Sequence, residues 1–286
     1  MSRNRDRLGG VQQHDTSPPP QMTQSDGGGG FSFVVPTEFV DLPTQGKFYP
    51  EGHPLRGEEN IEIRQMTAKE EDILTSRALL KKGVALDRVI KNIIVDKRID
   101  PESLLIGDRN AIIIAMRVSG YGHIYETKVG CPGCGTQQEY AFDLNEANIY
   151  EGENIADLNV VSNDNGTFTV RLPRTELRVV FKLLTGRHEK TFVTGMERDR
   201  KRKNEAERNI TRQLFAMIVS VDDDSSPDAI KYLVENMPSM DSRQLRLAYR
   251  LAAPNVDLTQ HFECNECNHT QDMEVPLSAD FFWPDQ

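Results

Sequence analysis

The chain contains four cysteines, which form two Cys-x-x-Cys pairs, Cys131/Cys134 and Cys264/Cys267. A spacing of two residues lets both sulfurs of a turn point at one centre, and two such turns supply the four thiolates of a tetrahedral zinc site. The pairs lie far apart in sequence, so a shared metal closes a very long loop. The residues between the pairs then form one insertion that is fixed at its base.

The segments around the two pairs form a weak internal repeat. Strand-like residues precede each pair, at 123–129 and 258–263, and further strand-like residues follow it. An ungapped comparison places the following residues opposite each other: Gln138 and Gln271, Glu139 and Asp272, Tyr140 and Met273, Leu144 and Leu277. Two hairpins that each carry a cysteine turn build a zinc ribbon, so the repeat predicts a zinc-ribbon-like site with four cysteine ligands, Cys131, Cys134, Cys264 and Cys267.

Four cysteine ligands leave no open position for water or substrate, so the predicted zinc is structural rather than catalytic. Three other uses of the cysteines stay open: two disulfides, a redox Cys-x-x-Cys motif and an iron–sulfur cluster. The flanking strands favour zinc over a redox motif, which normally opens a helix. We interpret the nearby His123, His261 and His269 as strand or surface residues rather than ligands.

The composition indicates a soluble globular chain with polar tracts. Hydrophobic residues make up 37% of the 286 residues and charged residues 27%. No apolar run reaches the length of a transmembrane helix, so we expect no membrane contact. The polar start predicts that there is no secretory signal, and hence a reducing cytoplasm. The net charge of -10 disfavours nucleic acid as a partner, although a zinc-ribbon nucleic-acid-binding or regulatory protein is kept as the alternative function.

Local signals predict an α+β fold, with helical segments around a small β-element. Thr67 and Glu70 form a capping box for a helix that ends near Gly83, and Asp108 is predicted to cap a helix that ends at Gly120. Alternating residues predict strands at 167–172 and 177–183. Beyond Gly186 the pattern is helical again and includes Ile218 on its apolar face, and Ser226-Pro227 starts a further helix.

These signals divide the chain into six segments. They are a disordered tail at 1–30, an extended wrapping segment with a short strand at 31–66, a helical subdomain at 67–120, a first zinc hairpin at 121–145, inserted strands with a helical subdomain at 146–256, and a second zinc hairpin with an aromatic C terminus at 257–286. We predict that the apolar Phe281–Pro284 end docks on the protein's own surface.

No motif predicts enzyme chemistry. The sequence lacks a Gly-rich dinucleotide loop, a P-loop, a nucleophile elbow and a His-Glu-x-x-His helix. The predicted metal uses all the cysteines, and the acidic residues are scattered as on a solvated surface. The sequence therefore predicts a protein that is not an enzyme.

Several runs of the sequence are unusual in composition: Thr37–Leu55, Ile61–Leu74, Leu79–Gly83 and Pro276–Pro284. These runs resemble the baseplate hub and hub-assembly proteins of T-even-like contractile-tailed bacteriophages. The resemblance extends from about residue 36 to the C terminus, and Met66–Leu74 is its most specific part.

This resemblance implies a non-enzymatic structural or assembly role in the baseplate. It implies partners among the other baseplate and tail proteins, and a place in a symmetric oligomeric assembly. The protein would then occur in the virion and, during assembly, in the host cytoplasm. The family supplies no catalytic residues, so the zinc prediction depends on the cysteine spacing alone.

Overall fold

The computed structural model describes residues 33–81, 83–152, 159–201, 208–276 and 279–282. The predicted disordered tail at 1–30 and the end of the aromatic terminus, Trp283 and Pro284, lie outside the described residues. The contacts divide the chain into a short unit, Met1–Pro36, and a large unit, Thr37–Gln286. None of the helices in the described parts is long and apolar enough to cross a membrane.

The large unit mixes helices with small antiparallel sheets. Its helices are α1 (Ala68–Thr75), α2 (Arg77–Lys81), α3 (Ala85–Ile93), α4 (Ile106–Tyr121), α5 (Gly186–Lys201), α6 (Asn209–Met217), α7 (Pro227–Asn236) and α8 (Ser239–Ala252). Its strands are β1 (Thr37–Asp41), β2 (Asn60–Arg64), β3 (Ile124–Gly130), β4 (Gln137–Asp143), β5 (Asn148–Tyr150), β6 (Val160–Ser162), β7 (Thr167–Arg171), β8 (Arg178–Lys182), β9 (Ile218–Val221), β10 (Asn255–Asp257), β11 (Thr259–Glu263) and β12 (Thr270–Glu274).

The described strands form one four-stranded sheet, β6-β7-β8-β9, and four two-stranded sheets: β1-β2, β3-β4, β5-β10 and β11-β12. The predicted strands β7 and β8 are confirmed, and they pair with each other. The prediction that Ile218 continues a helix is wrong, because α6 ends at Met217 and Ile218 begins β9. The β-branched residues at 218, 219 and 221 suit an edge strand against β8 better than a further helical turn.

The Pro-rich segment after β1 is anchored by a buried carboxylate. Asp108 accepts hydrogen bonds from the Thr44 amide (3.0 Å), the Thr44 hydroxyl (2.6 Å) and the Tyr49 hydroxyl (2.7 Å). Burial raises the pKa of Asp108, and hydrogen bonds from Thr44 and Tyr49 oppose that rise. The prediction that Asp108 caps α4 is therefore wrong. The helix begins at Ile106, and Asp108 binds the distant wrapping segment instead of its own helix end.

The capping box at the start of α1 is built around Glu70, whose side chain is 1% exposed. Glu70 accepts from the Thr67 amide at 3.0 Å and from the Thr67 hydroxyl at 2.7 Å. It also pairs with both terminal nitrogens of Arg64 and accepts from the Asn92 amide group. Burial alone raises the pKa of Glu70, but these hydrogen bonds outweigh it and lower the pKa to about 2. The predicted single helix up to Gly83 is two helices, because Ser76 is extended.

The aromatic C terminus docks on the protein's own surface as far as it is described. Phe281 and Phe282 are buried, and the Phe281 ring meets the Tyr125 ring edge-on at 5.2 Å. The fully buried Arg117 donates to the carbonyl oxygens of Phe281 (2.6 Å), Gly122 (2.5 Å) and Ile124 (3.1 Å). Three carbonyls therefore solvate this guanidinium and join α4 to the first hairpin and to the chain end.

We predict that Glu70→Gln lowers the free energy of unfolding at neutral pH by about 3 kcal/mol, because a pKa lowered from 4.5 to about 2 corresponds to a stabilisation of that order. The unfolded chain takes up the proton first as the pH falls. The stabilisation is therefore complete above about pH 5 and is lost between about pH 4.5 and pH 2. Urea denaturation at a series of pH values measures the free energy of unfolding of the variant and of the wild-type protein.

The matched control is Glu71→Gln, which removes the same charge from the exposed neighbouring residue. We expect it to change stability by less than about 0.5 kcal/mol. If the two variants lose equal stability, the Glu70 network does not stabilise the fold.

Candidate metal centre

Two hairpins present the four cysteines. In the first cysteine hairpin, β3 pairs with β4 from Ile124 opposite Asp143 to Gly130 opposite Gln137. In the second cysteine hairpin, β11 pairs with β12 from Thr259 opposite Glu274 to Glu263 opposite Thr270. In both, the cysteines lie in the turn that joins the strands, as the sequence predicts.

The two turns have the same backbone hydrogen bonds. The Cys131 amide donates to the Thr136 carbonyl at 2.9 Å, and the Cys264 amide donates to the His269 carbonyl at 2.9 Å. The residue after each second cysteine returns a bond to the first, from Gly135 to Cys131 at 2.8 Å and from Asn268 to Cys264 at 3.0 Å. Gly135 and Asn268 have left-handed φ angles of 76° and 53°, which glycine and asparagine tolerate best. The sequence therefore specifies both turns locally.

The four sulfurs meet at one point. All lie within 4.8 Å of one another, and two separations that join opposite hairpins are 3.7 Å, from Cys131 to Cys267, and 3.8 Å, from Cys134 to Cys264. Four sulfurs arranged tetrahedrally at about 2.3 Å from a central zinc are about 3.8 Å apart. The donor set and its spacing therefore fit a single metal ion.

The same distances weigh against two of the other uses of the cysteines. A disulfide needs sulfurs about 2.05 Å apart, and all four cysteines are free. In a multi-iron cluster the metal–metal distances add to the separation of the cysteine sulfurs, which then lie farther apart than one ion requires. A four-cysteine site for one ion is the arrangement that these sulfurs match.

Each hairpin contributes one buried and one exposed cysteine. Cys131 and Cys264 are buried, whereas Cys134 and Cys267 face solvent. Hydrogen bonds with the Thr136 side chain and backbone lower the pKa of Cys134 to about 6. The His269 amide also lowers the pKa of Cys267, but desolvation and the other three sulfurs outweigh it and raise that pKa to about 12. Four adjacent thiols resist joint ionisation unless a cation balances their charge.

Polar side chains join the two hairpins beside the sulfurs. Gln138 donates to the Glu263 carbonyl at 3.1 Å and accepts from the Asn265 amide at 3.0 Å. Gln260 accepts from the Asp143 amide at 3.1 Å and donates to its carbonyl at 2.7 Å. Each glutamine thus substitutes for a peptide group between β4 and β11. Sequence reasoning missed this role, because a glutamine in a strand carries no local signal of its distant partner.

Aromatic packing supports the same junction. Tyr140 lies 4.9 Å from Phe142 and 5.2 Å from Phe262 between ring centroids, and its hydroxyl donates to the His261 carbonyl at 2.9 Å. Phe142 and Phe262 are fully buried. The hairpins therefore have an apolar contact and hydrogen bonds of their own in addition to the sulfurs.

The chain matches the family model described as T4 bacteriophage base plate protein over residues 36–283, a range that includes both cysteine hairpins. The chain belongs to this base plate protein family. Membership places this base plate protein in the virion tail as a structural component, and such a family is generally non-enzymatic. No curated protein and no solved structure matches the chain.

We predict that this base plate protein, purified without chelator, carries one metal ion per chain, because one cluster of four sulfurs forms one tetrahedral site. Elemental analysis identifies the metal and measures the number of ions per chain. A thiol reagent applied to the native protein should label none of the four cysteines until a chelator or denaturant is added. A metal-free, folded protein with four reactive thiols would contradict the site.

We also predict that Cys134→Ser and Cys267→Ser each unfold or aggregate the protein. Metal coordination is worth on the order of 10 kcal/mol in small zinc folds, which is comparable to the stability of a whole domain. The matched control is Asn265→Ser, an exposed change in the same turn that leaves all four sulfurs in place. Thermal melts followed by circular dichroism separate the outcomes, and a folded, chelator-resistant Cys267→Ser variant would disprove the prediction.

Proposed function

We propose that this protein is a hub component of a contractile-tail baseplate and acts through protein–protein contacts, with a structural zinc ion at Cys131, Cys134, Cys264 and Cys267. The observation that carries the proposal is the base plate family match, which spans almost all of the described fold and both cysteine hairpins. A structural role also agrees with a site of four cysteine ligands, because a full protein shell leaves no coordination position for a substrate.

Zinc is the proposed ion because its preferences match the site. It accepts soft thiolate ligands, favours a closed tetrahedral shell and has no redox chemistry. The repeated turns and the pairing of the two hairpins support a zinc-ribbon-like arrangement. In this proposal the ion fixes the base of the long insertion between the hairpins.

The proposed setting follows from the baseplate role. The protein is made in the host cytoplasm, joins other baseplate and tail proteins there, and enters a symmetric oligomeric assembly. The net charge of -10 supports protein partners over nucleic acid, because a nucleic-acid-binding protein normally presents a basic footprint.

We predict that baseplates purified from infected cells contain this protein with zinc, in a fixed ratio to the other baseplate proteins. Quantitative mass spectrometry and elemental analysis of the same particles measure both. A phage that carries Cys267→Ser should make few complete baseplates, and wild-type protein supplied in trans should restore them, whereas a phage with Asn265→Ser should assemble normally. Complete, infectious particles that lack the protein would refute the hub role.

A further inference from the structure

Helix α8 forms one wall of a cleft of about 930 Å³. Three arginines of the helix line it, Arg243, Arg246 and Arg250, and their spacing of three and four residues places them on one helix face. The other walls come from β5, β10 and the open end of the second cysteine hairpin. We call this surface the arginine cleft.

These arginines lack carboxylate partners among the described residues. The Arg246 side chain donates to the Ser242 carbonyl one turn earlier at 3.3 Å, and the side chains of Arg243 and Arg250 have no hydrogen bond or ion pair within the described residues. Some other arginines are paired with acids, for example Arg64 with Glu70 and Arg109 with Asp87. In a chain whose net charge is -10, three adjacent arginines without acidic partners form a local cationic surface.

The arginine cleft is lined by apolar as well as charged side chains. Its apolar part comes from α8, from β5 and from the start of the second cysteine hairpin: Leu247, Leu251, Tyr150, Val256 and Leu258. A ligand that fills the cleft therefore needs negative charge for the arginines and apolar groups for this lining. A protein segment that carries both acidic and apolar side chains meets both needs.

Nucleic acid meets these two needs, negative charge and apolar groups, less well. A phosphate backbone offers charge but no aliphatic side chains, and binding to it depends on many phosphate contacts. Two carboxylates, Asp257 and Glu274, also line the cleft beside the three arginines, so it offers too few cations for the many phosphate contacts on which nucleic-acid binding depends. Asp257 accepts from the Thr259 amide at 2.9 Å and is thereby held at this position.

We propose that the arginine cleft is the docking site for an acidic segment with apolar side chains from a neighbouring baseplate protein. This proposal rests on the proposed baseplate function. The arginines pair with carboxylates of the segment, and its apolar side chains pack against Leu247, Leu251 and Val256. Glu274 ends β12 and Thr259 begins β11, so the second cysteine hairpin supplies one wall of the docking site.

Fluorescence anisotropy with synthetic peptides tests the charge and the lining together. The main probe is a labelled peptide in which Asp or Glu residues alternate with Leu or Ile residues. One comparison peptide has Asn and Gln in place of the acids and lacks the charge, and another has Ser in place of Leu and Ile and lacks the apolar groups. The fourth probe is a single-stranded DNA of equal length. The full-length, metal-loaded protein should bind the first peptide at least about tenfold more tightly than the others. Its affinity should fall as salt rises from about 50 mM to about 300 mM.

The variant Arg243→Glu/Arg246→Glu/Arg250→Glu should lose this binding by at least about tenfold. The matched control, Arg88→Glu/Lys91→Glu/Arg98→Glu, changes three basic residues of another region and alters the net charge equally. It should keep the binding. Equal loss in both variants, equal binding of the acidic and amide peptides, or preferential binding of the DNA would overturn the proposal.

Cross-linking inside purified baseplates separates this proposal from the proposed function. A photoreactive p-benzoylphenylalanine in place of Leu247 should cross-link to an acidic segment of one other baseplate protein. If the protein is present in baseplates but this cross-link joins it to a basic or uncharged segment, or to residues 153–158 of its own chain, the docking proposal fails and the baseplate function stands. If the protein is absent from baseplates, the proposed function fails.

Discussion

The meeting of the two cysteine turns is the constraint on which the remaining architecture depends. It brings together hairpins that lie on either side of the long middle part of the chain, and closing so long a loop costs conformational entropy that local structure alone does not repay. Three kinds of contact offset this cost: the sulfur cluster, the glutamine bridges of Gln138 and Gln260, and the packing of Tyr140 on Phe262. The middle part of the chain therefore starts and ends at one place.

Buried charged groups also join distant segments elsewhere in the fold. Asp108 holds the wrapping segment through Thr44 and Tyr49, and Arg117 holds the chain end through the Phe281 carbonyl. Asp241 at the start of α8 accepts from the backbone amides of Arg174 and Thr175 and fixes the β7–β8 turn. In each case several donors or acceptors satisfy a buried charged side chain and at least one of them comes from a distant segment, so each group specifies one pairing of segments.

The cysteine turns were predictable because their information is local. Cys-x-x-Cys spacing, a left-handed position at Gly135 or Asn268 and flanking strands lie within a few residues of one another. Capping at Glu70 and the start of α7 at Ser226-Pro227 are local in the same sense, and both were predicted. The short strands β5 and β10 were not predicted, because neither has a periodic pattern and each exists only by pairing with the other.

The sequence alone determined the cysteine pairs and their turns, most of the helices and strands, and the resemblance that the base plate family match confirms at the level of the family. Tertiary structure decided that the four sulfurs converge, that Asp108 binds the wrapping segment rather than capping its own helix, and that three arginines of α8 line one cleft together with apolar side chains. The physical reason is the range of the interactions. Backbone preferences and caps act within one or two turns, whereas convergence, burial and charge pairing depend on residues that are adjacent only in the folded chain.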